Sequence, residues 1–287
     1  MMVDSFGAKP FVKDWRMYVK TVSLMTKIGN LTRACLLIGL LLILSPALTG
    51  PPTAWADATS SGPVDHSIYD QLLKKYVDER GQVNYKGFRK DQAEFKKYLD
   101  LLSKNPPAAS WSKNEQMAYW INAYNAFTIQ LILDHYPVQS IKDIGSKIQI
   151  PFVTTPWAVK FIPIGKEKIS LDNIEHGTLR KKFDDPRIHF ALVCASKSCP
   201  RLRNEAYTAD KLDTQLNDQG RDFLNNPAKN AITPKQASLS KYFDWYKGDW
   251  KDNGKSIEEW VNRYSNTKIN SNTKISFMDY NWNLNEQ

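Results

Sequence analysis

One stretch limits the possible folds more than any other: Ser112–His135, SKNEQMAYWINAYNAFTIQLILDH. Ser112 followed three positions later by Glu115 is a capping-box start, and Pro137 stops the run. Apolar side chains surround much of its second half instead of forming one stripe, which predicts a central helix buried on most sides. Asn122 and Asn125 are polar residues among its aromatics. Buried amides need partners, so these two either bind backbone as part of the framework or orient a catalytic group.

Around that helix the periodicities are mixed. Ile68, Leu72, Leu73 and Tyr76 recur at helical spacing in Ser67–Asp78, with a stop near Gly81. Val83–Tyr85 reads as a short extended piece, and Asp91–Leu102 as a second helix ended by Asn105-Pro106-Pro107. A hairpin is expected around Gly165, with arms Trp157–Ile164 and Lys168–Ser170. Asp172, with Glu175 three positions on, is expected to cap the next helix. Ile188–Val193 reads as a strand. A polar helix over Thr208–Leu224 follows, then a hairpin from Ala231–Thr233 and Ala237–Leu239. Aromatics crowd Tyr242–Trp250, Ser256 and Glu259 start a short helix, and Lys274–Met278 reads as a final strand. The fold class expected is α+β: one helix-rich domain with a small antiparallel sheet.

The first 56 residues carry a different signal. Ala34–Leu44 is an unbroken apolar run preceded by Lys27 and Arg33, and Ala54-Trp55-Ala56 is a small-x-small cleavage pattern. The run is too short to span a bilayer core of about 30 Å. Residues 1–56 therefore read as a secretory signal peptide, with Met25 or Met17 giving a leader of more ordinary length. Residues 57–110 form an N-terminal helical segment and residues 111–287 the core of the domain. Export to the periplasm or the extracellular space is the expectation. The formal charge of +9 falls to about +5 once the leader's six basic and two acidic residues are removed. That excess is spread thinly, which argues against nucleic acid as a partner. The mature chain has no second apolar run long enough for a membrane helix.

The chemistry concentrates in Asp172–Leu202, DNIEHGTLRKKFDDPRIHFALVCASKSCPRL. It holds Glu175, His176, His189, Cys194 and Cys199. An even cysteine pair in an exported chain is a disulfide candidate, and the short loop between them suits one. A reactive thiol is the alternative, with Lys197 as the nearby cation and His176 or His189 as the base. A zinc site drawn from Glu175, His176, His189 and a cysteine fits no standard spacing. No metal or cofactor is expected. On a regular strand His189 and Cys194 would point to opposite faces about 16 Å apart, whereas His176 could meet either cysteine. Glu175 is read either as the capping partner of Asp172 or as the group that orients an imidazole, first of all that of His189.

The motifs YWINAYNAF, LDNIEHGTLR, DPRIHFALVCASKSCPRL, FDWY and YNWNLN together resemble the domain of unknown function 547 family, over about residues 111–285. The resemblance also implies a fold similar to that of the papain-like cysteine hydrolases. In that arrangement a helix carries the nucleophile, a later strand the histidine and a further strand Asp or Asn. Here the order would be the Trp120–Asn125 helix, His189, and Asp279 or Asn281. The chain departs from that pattern because the helix contains no cysteine.

These residues together lead to an exported cysteine-dependent hydrolase or acyl-transferase acting on a peptide-like bond. Cys194 or Cys199 would be the nucleophile, His176 or His189 the base, and Glu175 or Asn122 the orienter. Backbone N–H groups of the 195–199 loop would form the oxyanion site. Two other classes stay open: a non-catalytic envelope binding module stapled by Cys194–Cys199, and a thiol redox protein.

Overall fold

The structure, a computed structural model, describes residues 62–145, 154–251 and 255–287. The expected signal peptide, residues 1–56, lies outside the described residues. Four helices come first: α1 Ser67–Tyr76, α2 Tyr85–Lys90, α3 Gln92–Lys104 and α4 Lys113–His135. The hairpin β1 Ile162–Ile164 and β2 Glu167–Ile169 leads to a π-helix, Asn173–Leu179, which runs on into α5 Arg180–Lys182. Then come α6 Ile188–Ala191, α7 Leu212–Asn225, β3 Ala231–Ile232 and β4 Gln236–Leu239. The chain closes with α8 Tyr242–Trp245, α9 Lys247–Lys251, α10 Ile257–Tyr264 and β5 Lys274–Phe277.

Helix α4 is the axis. Ser112 Oγ accepts from the Glu115 N–H at 3.2 Å and Glu115 Oε2 accepts from the Ser112 N–H at 2.6 Å, the reciprocal cap its sequence implies. Every residue from Met117 to Ile129 is buried, so the helix meets protein on all sides. Helices α1 to α3 and the later elements pack about it in one hydrophobic core. The α+β class holds, with a two-stranded and a three-stranded sheet. One detail differs from a purely antiparallel sheet: β5 joins β4 in parallel, Gln236 opposite Lys274 through Leu239 opposite Phe277. The intervening α8–α10 carry the chain back across the sheet, as a parallel connection requires.

The C-terminal segment ties distant parts together. Asn285 O accepts from Val83 N at 2.8 Å, Gln139 O accepts from Leu284 N at 2.8 Å, and Asn283 O accepts from Lys197 N at 2.8 Å. Gly81 sits beside this junction at φ +76°, where a Cβ would fall 2.6 Å from Arg201 Cβ and from Leu202 N. Glycine is therefore required there both by backbone conformation and by space.

Near the start of α1, His66 packs edge-on against Tyr98 and its Nδ1 lies 2.8 Å from the tyrosine hydroxyl. Burial, opposed by Asp65, pushes this imidazole from 6.5 down to about 4. Above pH 6.5 both folded and unfolded chains are neutral at His66. Between 6.5 and 4 only the unfolded chain binds the proton, so stability falls as pH falls, and the loss is complete below the folded value. Stability is expected to drop between pH 7 and pH 4 by roughly 3 kcal/mol, read as a lower melting temperature. A His66→Gln variant should show a visibly smaller drop.

Candidate functional site

The π-helix sets up the first half of the site. Asp172 makes no capping bond, so the expected Asp172–Glu175 capping box is not formed. The cap lies two residues earlier: Ser170 Oγ accepts from Asn173 N at 3.1 Å, and Asn173 Oδ1 accepts from Ser170 N at 3.0 Å. Arg180 N–H reaches back five residues to Glu175 O, the wide winding that marks a π-turn. Asp172 and Glu175, freed from capping, both line a cavity of about 420 Å³ together with His176 and His189.

The second half comes from a segment that is helical where a strand was expected. Asp185 Oδ1 accepts from Arg187 N at 3.0 Å, and His189 N bonds Pro186 O at 3.0 Å. An Asp–Pro start favours a helical turn, and here it overrides the β-preference of the apolar residues that follow. Only after Ala191 does the chain extend. The turn removes the opposite-face geometry, and His189 and Cys194 line the same cavity. Asn125 fixes this segment: its Nδ2 donates to Ala191 O at 2.9 Å and its Oδ1 accepts from Val193 N at 3.0 Å. Asn122 does the same for Tyr207, at 2.8 and 3.0 Å. Both amides are thus engaged with backbone.

Around His189, which lines the cavity, the charged groups are paired. Arg180 Nε and Nη2 hold the two oxygens of Asp249 at 2.6 and 2.5 Å, and His189 Nε2 meets Asp249 Oδ2 at 2.7 Å. Burial acts to raise the Asp249 carboxyl, but hydrogen bonds from His189 and Arg180 outweigh it and hold the group well below its ordinary range. Burial lowers the His189 imidazole below 6.5, against the pull of Asp249 and Glu175. A neutral ring that donates from Nε2 has an unprotonated Nδ1. That nitrogen faces Glu175 Oε1 at 3.9 Å, too far for a direct hydrogen bond. Tyr124 and Tyr246 are buried near Glu175, and burial first, then the Glu175 charge, keeps both phenols protonated. Tyr246 also stacks on His189 at 3.7 Å between centroids.

His176 sits nearer the rim. Its Nδ1 lies 2.9 Å from Arg180 Nη1. Because guanidinium only donates, the remaining ring proton is on Nε2, which faces Asp172 Oδ1 at 3.8 Å. Burial raises the Asp172 carboxyl; His176 opposes the rise and Glu175 adds to it.

Cys194 and Cys199 are disulfide-bonded. Cys194 lines the cavity, while Cys199 is fully buried. The loop between them pairs with the C-terminal segment: Lys197 N donates to Asn283 O and Ser198 N to Asn281 O, while Cys199 N donates to Ser196 O. These three N–H groups are engaged with backbone carbonyls and are not free to serve as the oxyanion site expected of the loop. Asn281 belongs to this pairing, its own N–H donating to Ser198 Oγ at 2.9 Å. The acid beside His189 is Asp249, not Asp279 or Asn281, and His189 stands on a helix, so the order of groups expected from a papain-like arrangement is absent. Ala195 closes the loop at φ +58°, a left-handed conformation that costs a non-glycine residue roughly 1 kcal/mol.

Sequence reasoning missed Asp249, Arg180, Tyr124 and Tyr246. Asp249 carried one visible signal, a carboxylate next to Trp250 in an otherwise aromatic stretch. Arg180 stood in LDNIEHGTLR one helical turn after His176. Among the described residues no group of three or more His, Cys, Asp and Glu side chains is placed to hold a metal ion. None of their helices is long and apolar enough to cross a membrane.

Residues 108–224 match the family model described as Protein of unknown function, DUF547. The resemblance carried by the motifs is thereby shown over that span, which includes Glu175, His189 and both cysteines. The FDWY and YNWNLN motifs lie beyond it. No curated protein and no solved structure matches the chain.

Removing the Asn125 amide leaves Ala191 O and Val193 N buried without partners, at about 1–3 kcal/mol each. Asn125→Ala is expected to lower the urea midpoint by an amount equivalent to roughly 2–4 kcal/mol. Asn114→Ala, whose Nδ2 makes only a 3.4 Å exposed contact to Ala209 O, should leave the midpoint close to that of the parent.

Proposed function

We propose that the chain is an exported hydrolase or acyl-transferase that acts by acid–base chemistry on a peptide-like carbonyl bond. The observation that carries this reading is the grouping Asp249–His189–Glu175 beside an aromatic-walled cavity. Asp249, held ionised by Arg180, fixes His189 with its proton on Nε2 and leaves Nδ1 as the base facing the cavity. In the disulfide-bonded chain neither sulfur is a nucleophile, so water fills that role. Water adds to the carbonyl carbon and gives its proton to His189 Nδ1. The imidazolium that forms lies between two carboxylates, Asp249 and Glu175, which favour its charge. When the tetrahedral adduct collapses, the same proton passes to the leaving amine or alkoxide. An acceptor hydroxyl or amine in place of water gives transfer.

Trp157, Trp245 and Trp282 supply the walls, with Trp245 and Trp282 stacked at 5.7 Å. Flat apolar walls beside carboxylates suit an extended substrate with an apolar or cationic portion. Export rests on the pattern of residues 1–56 and agrees with an envelope substrate. A second reading, with Cys194 as the nucleophile, is favoured by its place in the cavity wall and requires the disulfide to be opened first.

Turnover of a panel of chromogenic esters and peptide amides tests the proposal. His189→Ala and Glu175→Gln are expected to lower kcat/KM by about 100-fold or more, while the Cys194→Ser/Cys199→Ser pair retains most of it. Because burial lowers the His189 imidazole, the acid limb of kcat/KM should fall below the ordinary histidine range. Activity that appears only after reduction and vanishes in Cys194→Ser would assign the nucleophile to the thiol. Turnover indifferent to His189→Ala would remove the acid–base reading altogether.

A further inference from the structure

The environment of the Cys199 sulfur has no role in the chemistry above. Four groups approach it: Cys194 N–H at 3.0 Å, Ser196 Oγ at 3.3 Å, and the hydroxyls of Tyr242 and Tyr280 at 3.2 Å each. A disulfide sulfur carries no proton, so any proton in these contacts comes from the other atom; the same three hydroxyls lie 3.4, 3.8 and 3.3 Å from Cys194 Sγ. Ser196 Oγ also donates to Tyr280 OH at 2.9 Å. That oxygen–oxygen contact absorbs one of the three hydroxyl protons. At least one hydroxyl proton and the amide proton therefore remain for sulfur. A neutral disulfide gains little from such donors, whereas a thiolate gains a charge-assisted bond from each. Lys229 adds a cation nearby, its Nζ donating to Cys199 O. The surroundings of Cys199 fit the product of bond opening better than the bond itself.

We infer that Cys194–Cys199 is an exchange-active disulfide, attacked at Cys194 from the cavity and releasing Cys199 as a thiolate into this cradle. Cys194 lines the cavity and Cys199 has no exposed surface, so an incoming thiolate reaches only Cys194. Its sulfur bonds Cys194 Sγ, the Cys194–Cys199 bond breaks, and the electron pair stays on Cys199. If the reductant is a dithiol, its second thiolate attacks its own sulfur in the mixed disulfide. That step expels Cys194 as a thiolate, which takes up a proton. The dithiol is oxidised by two electrons and the protein disulfide is reduced. The partner class is a dithiol small enough to enter a cavity of about 420 Å³. Exchange depends on leaving-group stability, which is what the cradle supplies.

The test uses the native chain in a Cys35→Ser background and contains no ester or amide, so it is separate from the hydrolytic assay. The folded protein is exposed to glutathione, quenched in acid, denatured, alkylated and mapped by mass. Glutathione on Cys194 with the alkyl tag on Cys199 is the expected result. No adduct before unfolding, or an adduct on Cys199, overturns the inference. In the same background, Tyr242→Phe with Tyr280→Phe should slow reduction by dithiothreitol about tenfold or more. With Cys194→Ser added, ultraviolet titration should find the Cys199 thiol below the ordinary value of about 8.5. The two phenylalanines should raise it by about one unit. An unchanged rate and titration would also overturn it. If the double variant does not fold, the glutathione map on the parent chain decides alone.

Discussion

The site depends on one side chain that touches no charge, the Asn125 amide. It sits on a helix with no solvent face, and it satisfies the carbonyl of Ala191 and the N–H of Val193 at once. Those groups lie where the chain stops being helical and starts to extend, so neither has a partner in regular structure. Without the amide the turn carrying His189 and the extended piece carrying Cys194 would have unsatisfied backbone in the core. With it, a base and a sulfur five residues apart face one cavity. The helix is rigid because it is buried, and the amide transmits that rigidity to the site.

Rigidity alone would not keep a buried histidine beside two acids. Asp249 is tolerated because Arg180 binds it through both oxygens, and Arg180 is held in turn by its packing on Tyr246. That ion pair neutralises the Asp249 side of His189 and leaves the Glu175 side as the place where charge can change. Burial favours the neutral imidazole, and the carboxylates favour the protonated one. Burial prevails, and the imidazole sits below its ordinary range with two carboxylates beside it.

Much of this was legible in the sequence, and the failures share a cause. The long helix, its cap and the α+β class follow from local periodicity and capping chemistry, and they are present. So is the closeness of Glu175 to the His189 ring, whereas His189 and Cys194, expected on opposite faces of a strand, line one cavity. The strand expected at Ile188–Val193 failed because Asp185 and Pro186 begin a turn just upstream. The capping role expected of Asp172 failed because Ser170 and Asn173 satisfy each other first. In both places a short-range polar interaction overrode an average preference. Asp249 was hidden for a different reason: it joins His189 from 60 residues away, and no spacing rule in one sequence encodes such a contact. The engagement of the Lys197 and Ser198 N–H groups was not legible because the C-terminal segment that takes them lies more than 80 residues downstream of Ser198.

The acid–base group and the sulfur cradle are joined by a single turn of helix. Tyr242 and Tyr246 are one turn apart in and after α8, with Tyr246 N bonded to Tyr242 O at 3.1 Å and their rings edge-to-face at 5.5 Å. Tyr246 stacks on His189 and lies near Glu175; Tyr242 serves Cys199. Tyr280 extends the link, since its hydroxyl meets both sulfurs and its ring stacks on Tyr242 at 6.1 Å. A shift of this turn would move donors at both centres together, because side chains packed this closely cannot adjust singly. Substitutions at Tyr242 and Tyr246 should therefore be strongly non-additive with those at His189 and Cys199. The cavity is better regarded as one unit, in which the sulfurs and His189 are linked through neighbouring tyrosines of one turn.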